Sequence, residues 1–149
     1  SWVMVFLSLG SLLMILSEVF KPKSESKSFG FRKGFLIGCF QALALFPGFS
    51  RSGATISGGM LLGLGREAAA RFSFLLSIPI ILGAGIYQLL SSEYFLYSTP
   101  VWNLVVGFLA SFAVGLFAIK FLLKFLKSNK LYVFVIYRVV LAFILGFYL

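Results

Sequence analysis

The 149-residue chain has no histidine, one cysteine and four acidic residues. The first absence excludes imidazole metal ligands and histidine general bases within this chain. A single cysteine, Cys39, excludes an internal disulfide, and its place in an apolar run reads as a small packing residue. Charge is scarce too: 11% of residues are charged, against about 25% in globular domains, while 60% are hydrophobic. A soluble domain of this size cannot hide so much apolar surface. Strict alternation of apolar and polar residues, which a membrane barrel needs, is also missing. What remains is an all-α integral membrane protein.

The charge that is present is mostly of one sign, 13 Lys+Arg against 4 Asp+Glu for a net +9. No basic stripe alternates with exposed aromatics, so no nucleic acid is expected as a partner. Loop lysines set beside anionic lipid account for the excess.

Apolar runs divide the chain. Trp2 to Phe20 is long enough to span a bilayer. It lacks the basic lead and small-residue cleavage site of a signal peptide. "KPKSESKS" (21–28) reads as a hydrated loop. Further spans are expected over Phe72–Leu90, Val101 to about Leu123, and Leu131–Leu149. Tyr94 and Tyr97, in the loop between the first two of these, suit a lipid interface.

Two apolar pieces are too short. Phe35–Phe46 and Ala54–Leu64 make helices of about 18 and 16 Å at 1.5 Å per residue, against roughly 30 Å of hydrocarbon. The economical geometry is one re-entrant helix-loop-helix hairpin over about residues 33–65, with its break near the midplane. Charge agrees. A hairpin returns Arg66 and Arg71 to the side of the "KPKSESKS" loop, and the later spans put Lys120, Lys124, Lys127 and Lys130 there as well.

The break, "FPGFSRSGAT" (Phe46 to Thr55), holds the polar groups that a membrane interior should lack. Pro47 stops a helix. Gly48 and Gly53 allow close approach to a ligand. Ser50, Ser52 and Thr55 offer hydroxyls, and Arg51 offers a rigid fork suited to phosphate. A helix starting near Ala54 would aim its free N–H groups at the same point. The favoured reading is a phosphate or other anion site; the alternative is Arg51 as a strut to Glu67 or to a carbonyl. Gly58, Gly59 and Gly63 read as helix-packing positions. Glu67 and Arg71 are expected to pair at i and i+4. Glu18 reads as a helix-end residue near Lys21. Arg138 is expected to snorkel to the interface, its other reading being a second polar contact in the bundle.

"PGFSRSGAT" (Pro47 to Thr55) matches every fixed position of P-G-x-S-R-S-x-x-T, and with its flanks resembles the bacterial undecaprenyl-diphosphate phosphatases, the bacitracin-resistance family. The likeness runs along the whole chain, as the family's C-terminal half. It implies an inverted-repeat architecture of which this chain is one half, a bacterial plasma-membrane location, and hydrolysis of undecaprenyl diphosphate to the monophosphate. The lipid carrier of peptidoglycan synthesis is thereby recycled. In that likeness Arg51, Ser50 and Thr55 are the catalytic residues, with Pro47, Gly48, Ser52, Gly53 and Gln41 around the substrate. A divalent cation, Mg or Ca, is implied, but no metal ligand is identified in this chain. Gln41 falls where the companion half carries the first glutamate of E-x-x-x-E, and Leu45 where it carries the second. The acidic pair and an S-G-H segment are expected on a missing N-terminal half, in the same or a separate chain. Alone, this chain is expected to be inactive; a homodimer is left open. The competing functions are a transporter or flippase of lipid-linked phosphate and a non-catalytic assembly subunit.

Overall fold

The computed structural model describes residues 2–20, 22, 30–91 and 100–148. Among them the regular structure is helical: α1 (Trp2–Phe20), α2 (Phe31–Ala42) running into a 3-10 turn (Leu43–Leu45), α3 (Arg51–Leu61), α4 (Arg66–Ser91), α5 (Val101–Ser128) and α6 (Tyr132–Tyr148). Helices α1, α4 and α5 are long and apolar enough to cross a membrane, and α6 is a shorter apolar helix. Phenylalanines such as Phe108, Phe112 and Phe117 stand exposed along α5, as expected where lipid replaces water as the surrounding medium. The chain is an all-α, multi-pass membrane protein.

Two helices are longer than hydropathy suggests. α4 starts at Arg66, so "REAAAR" forms its first turns, ahead of the apolar span expected from Phe72. Glu67 sits there, where the helix dipole favours an acid. α5 continues past Leu123 through Lys124 and Lys127, because lysine is a good helix former whether or not lipid surrounds it. The "KPKSESKS" loop, apart from Pro22, and the interfacial Tyr94 and Tyr97 lie outside the described residues.

A buried cluster gathers one end of the bundle. Glu18, near the end of α1, accepts from Arg66 Nε at 2.7 Å and from its Nη2, and its Oε1 also accepts from the Leu131 N–H at 2.9 Å. Glu18 is therefore not a simple helix-end residue; it joins the starts of α4 and α6. Beside it Ile37, Ile56, Met60, Ala70, Leu126 and Leu131 form the apolar core. The chain thus leaves α1 and re-enters α4 at the same end, and α2 and α3 between them form an antiparallel pair. Gly58 lets that pair close, since a Cβ there would lie 2.5 Å from Phe40 Cγ. α3 ends in a Schellman turn: Gly63 has φ 92°, and the Leu64 N–H donates to Gly59 O at 2.9 Å. Gly63 is accordingly a helix cap, whereas Gly58 and Gly59 are the packing positions. Cys39 is exposed on α2 rather than packed.

The far end of the α2–α3 pair lies against the first half of α1. Phe46 stacks on Phe6 with ring centroids 4.7 Å apart, and Gly48 passes so close to Val3 O that a Cβ would sit 2.7 Å from it. The pair reaches this far because the 3-10 turn and the extended Phe46 add length that two short helices alone would not supply.

Candidate anion site at the hairpin tip

The tip is built by local chemistry. Phe46, Pro47, Gly48 and Phe49 make a tight turn closed by Phe49 N–H to Phe46 O at 3.2 Å. Proline at the second position and a glycine with φ 96° at the third are what a type II turn requires. Ser50 then adopts φ 73°, a conformation costly for a residue with a Cβ. From there its Oγ accepts from the Gly53 N–H at 3.2 Å and its C=O from Ala54 at 3.0 Å. Ser50 is the N-cap of α3.

The helix consequently begins at Arg51, one turn earlier than a start near Ala54. Arg51 and Ser52 are its first two residues, and the break is confined to Phe46–Ser50. The cap uses the Gly53 N–H and the first helical bond uses that of Ala54. The N–H groups of Arg51 and Ser52 remain, with no partner among the described residues. Neither the Arg51 guanidinium nor the Ser52 hydroxyl has one there either. Glu67 is occupied elsewhere, with Arg71 at 2.8 Å and Lys127 at 3.6 Å, so Arg51 is no strut to it. The Glu67–Arg71 pair is the i, i+4 contact expected. Two backbone donors, a forked cation and a hydroxyl thus share one helix start, and nothing else among the described residues uses them.

Thr55 and Gln41 sit behind this turn. Thr55 is fully buried, and its hydroxyl donates to Arg51 O at 2.7 Å. Gln41 Oε1 lies 3.4 Å from the same hydroxyl. A hydroxyl has one proton and the shorter bond takes it, so Gln41 meets Thr55 by its N–H once the amide is turned over. Gly53 is buried, Gly48 half-buried and Pro47 exposed at the turn.

Arg138 does not snorkel. It is buried, and it donates from Nη2 to Gly48 O at 2.9 Å, Phe49 O at 3.1 Å and Leu7 O at 3.1 Å, and from Nε to Ser11 Oγ at 3.3 Å. Sequence could count an arginine in an apolar run; the carbonyls that hold it come from parts of the chain about ninety and more residues away. Arg138, Ser50, Ser52 and Tyr137 also line a cavity of about 170 Å³ together with mostly apolar residues, among them Met14, Leu126 and Phe134.

No three acidic, histidine or cysteine side chains converge among the described residues. A hard divalent cation needs several oxygen ligands, usually including carboxylates. The tip offers hydroxyls and cations, so the described residues do not fit an Mg or Ca site.

A family model described as bacitracin resistance protein BacA matches residues 1–144.

Proposed function

This chain belongs to the BacA family of bacitracin-resistance proteins, undecaprenyl-diphosphate phosphatases of cell-wall synthesis, and we propose that its α2–α3 hairpin is the cradle that receives the diphosphate of a polyprenyl lipid. The observation that carries this is the set of uncommitted donors at the start of α3: the N–H groups of Arg51 and Ser52, the Ser52 hydroxyl and the Arg51 fork. In this reading the hairpin is re-entrant in a bacterial plasma membrane, and the 149 residues form one membrane domain.

An anion rationalises an otherwise costly arrangement. Arginine at a bilayer centre costs roughly 2.5–3.5 kcal/mol on insertion scales. Each hydrogen bond to a charged group contributes about 1.5–3 kcal/mol, so two or three phosphate contacts offset that cost. Arg51 clamps the diphosphate and stabilises the charge that grows on the lipid monophosphate as water bonds to the terminal phosphorus and the bridging P–O bond breaks. Ser52 and the two N–H groups orient the remaining oxygens. Ser50 holds the helix start that presents them, and its hydroxyl proton remains free to meet an oxygen. Thr55, by holding the Arg51 carbonyl, and Gln41, by holding Thr55, keep that first turn in shape. Pro47, Gly48 and Gly53 let backbone and ligand approach closely.

Hydrolysis also needs a base for the attacking water. No carboxylate occurs between residues 29 and 65, and the two among the described residues, Glu18 and Glu67, are engaged at the opposite end of the bundle from the tip. The base, and any divalent cation, are assigned to a companion segment bearing E-x-x-x-E and S-G-H, and this polypeptide to binding. The test is a titration of purified chain with farnesyl diphosphate, read by thermal shift. Stabilisation that Arg51→Ala abolishes is expected. An Arg51→Ala protein that binds as well as the parent refutes the cradle. Phosphate release is expected only when the companion segment is co-expressed; robust release from this chain alone refutes the division of labour.

A further inference from the structure

Arg138 is none of the groups assigned to the diphosphate, yet its hydrogen bonds all converge on the hairpin tip or on α1 behind it. It is 7% exposed. Its Nη2 joins the carbonyls of Gly48 and Phe49, the two residues that precede Ser50. No backbone N–H of the described residues reaches either carbonyl. Without Arg138 both would be left without a partner in an apolar setting, a penalty that the turn could relieve only by shifting.

The next residue along the chain, Ser50, gives the contact its consequence. It is the one non-glycine residue with positive φ among those described. A strained conformation persists only where its surroundings over-determine it. The N-cap bond holds Ser50 from the helix side, and Arg138 holds the residues before it from the other. α6, which carries Arg138, packs on α1 rather than on α2 or α3. The side chain therefore reaches across α1 to the tip, and α1 is shaped to let it pass. A Cβ at Gly10 would lie 2.5 Å from Phe49 O and closer still to Arg138 Nη2.

We propose that Arg138 is a positioning residue for diphosphate binding: by holding the carbonyls of Gly48 and Phe49 against α1 it sets where α3 begins, and so where Arg51, Ser52 and their N–H groups point. The proposal rests on the reading of the tip as a diphosphate cradle. A lysine cannot replace the guanidinium, because its single ammonium cannot serve Ser11 Oγ through one nitrogen and the carbonyls through another. Gly10 belongs to the same device, since any larger residue displaces the guanidinium and the turn together without changing a charge.

Farnesyl diphosphate affinity of the purified chain in detergent, measured by calorimetry well below the melting temperature, tests this. Arg138→Lys and Gly10→Ala are each expected to weaken binding about tenfold or more, the scale of one lost hydrogen bond to a charged group. Because both act on one network, the double variant is expected to bind no worse than the weaker single. Ser11→Ala, which removes only the Nε acceptor, is expected to fold and to lose a few-fold, and it decides the matter if Arg138→Lys does not fold. A purely structural role would lower the melting temperature and leave affinity unchanged; that result overturns the proposal, as do wild-type affinity in Ser11→Ala or losses that multiply in the double variant. Failure of the underlying reading looks different: wild-type protein does not bind farnesyl diphosphate, or Arg51→Ala binds it unchanged.

Discussion

The close approach of α2 and α3 can be tested one methyl group at a time. At Gly58 an added Cβ would lie 2.5, 2.6 and 2.7 Å from Phe40 Cγ, Cδ2 and Cβ. Non-bonded carbons are comfortable at about 3.5–4.0 Å, so Gly58→Ala must push α2 outward by roughly 1 Å or drive Phe40 from its rotamer. Overpacking of this kind costs about 1–3 kcal/mol. For a chain of this length that is a fall in apparent melting temperature on the order of 5 °C. Gly59→Ala is milder: its Cβ meets Ala69 Cβ at 3.0 Å and Leu64 Cδ1 at 3.3 Å. Gly38→Ala meets nothing within 4 Å, and alanine is the better helix former by about 1 kcal/mol, so it should be neutral or stabilising. The assay is a thermal melt in detergent of the three variants side by side, with farnesyl diphosphate affinity as a second readout. Gly58→Ala should also bind less well, because separating α2 from α3 pulls Gln41 away from Thr55 behind the Arg51 turn. The expected order of damage is Gly58, Gly59, Gly38. If Gly58→Ala melts within about 1 °C of wild type, or Gly38→Ala does equal harm, the packing argument is wrong.

Ser50→Gly should be more stable than Ser50→Ala. Glycine accepts φ 73° without strain and caps a helix nearly as well as serine, whereas alanine loses about 1 kcal/mol of cap and keeps the strain; equal melting temperatures would deny the cap its role. Glu18→Gln keeps an acceptor for the Leu131 N–H but removes the charge facing Arg66, and should cost about 3 kcal/mol. Adding Arg66→Gln should recover part of that loss, and a second loss as large as the first would contradict the ion-pair account. Thr55→Val retains shape but forfeits the bond to Arg51 O, about 1 kcal/mol of stability. In calorimetry it should weaken farnesyl diphosphate binding less than Arg51→Ala does, and the reverse order would place Thr55 rather than Arg51 at the ligand.

Much of the tip could be read locally. Proline followed by glycine specifies a turn through φ alone, and a serine before a helix is a cap by the reach of its own hydroxyl. The start of α3 was harder: Arg51, Ser52 and Gly53 look like loop residues until Ser50 is seen to cap them, so a purely compositional reading begins the helix one turn late. Glu18 and Arg138 were harder still. Each is one charged residue in an apolar run, and hydropathy treats such residues alike whether they snorkel, pair or brace a turn. Their partners, Arg66 and Leu131 for one, Leu7, Gly48 and Phe49 for the other, are set by helix packing and not by spacing along the chain.

Composition and the lengths of the apolar runs determined the membrane class, two helices each shorter than a bilayer span, and the arginine–serine string between them, because these follow from hydrophobic transfer and from the rise of a helix. Tertiary structure alone decided which donors at that turn remain available. Hydrogen-bond capacity is finite: Ser50 commits an acceptor to Gly53, Thr55 gives its proton to Arg51 O, and Arg138 commits Nη2 and Nε to the turn and α1. The groups that no contact consumed, the Arg51 fork and the first N–H groups of α3, are those a phosphate can use.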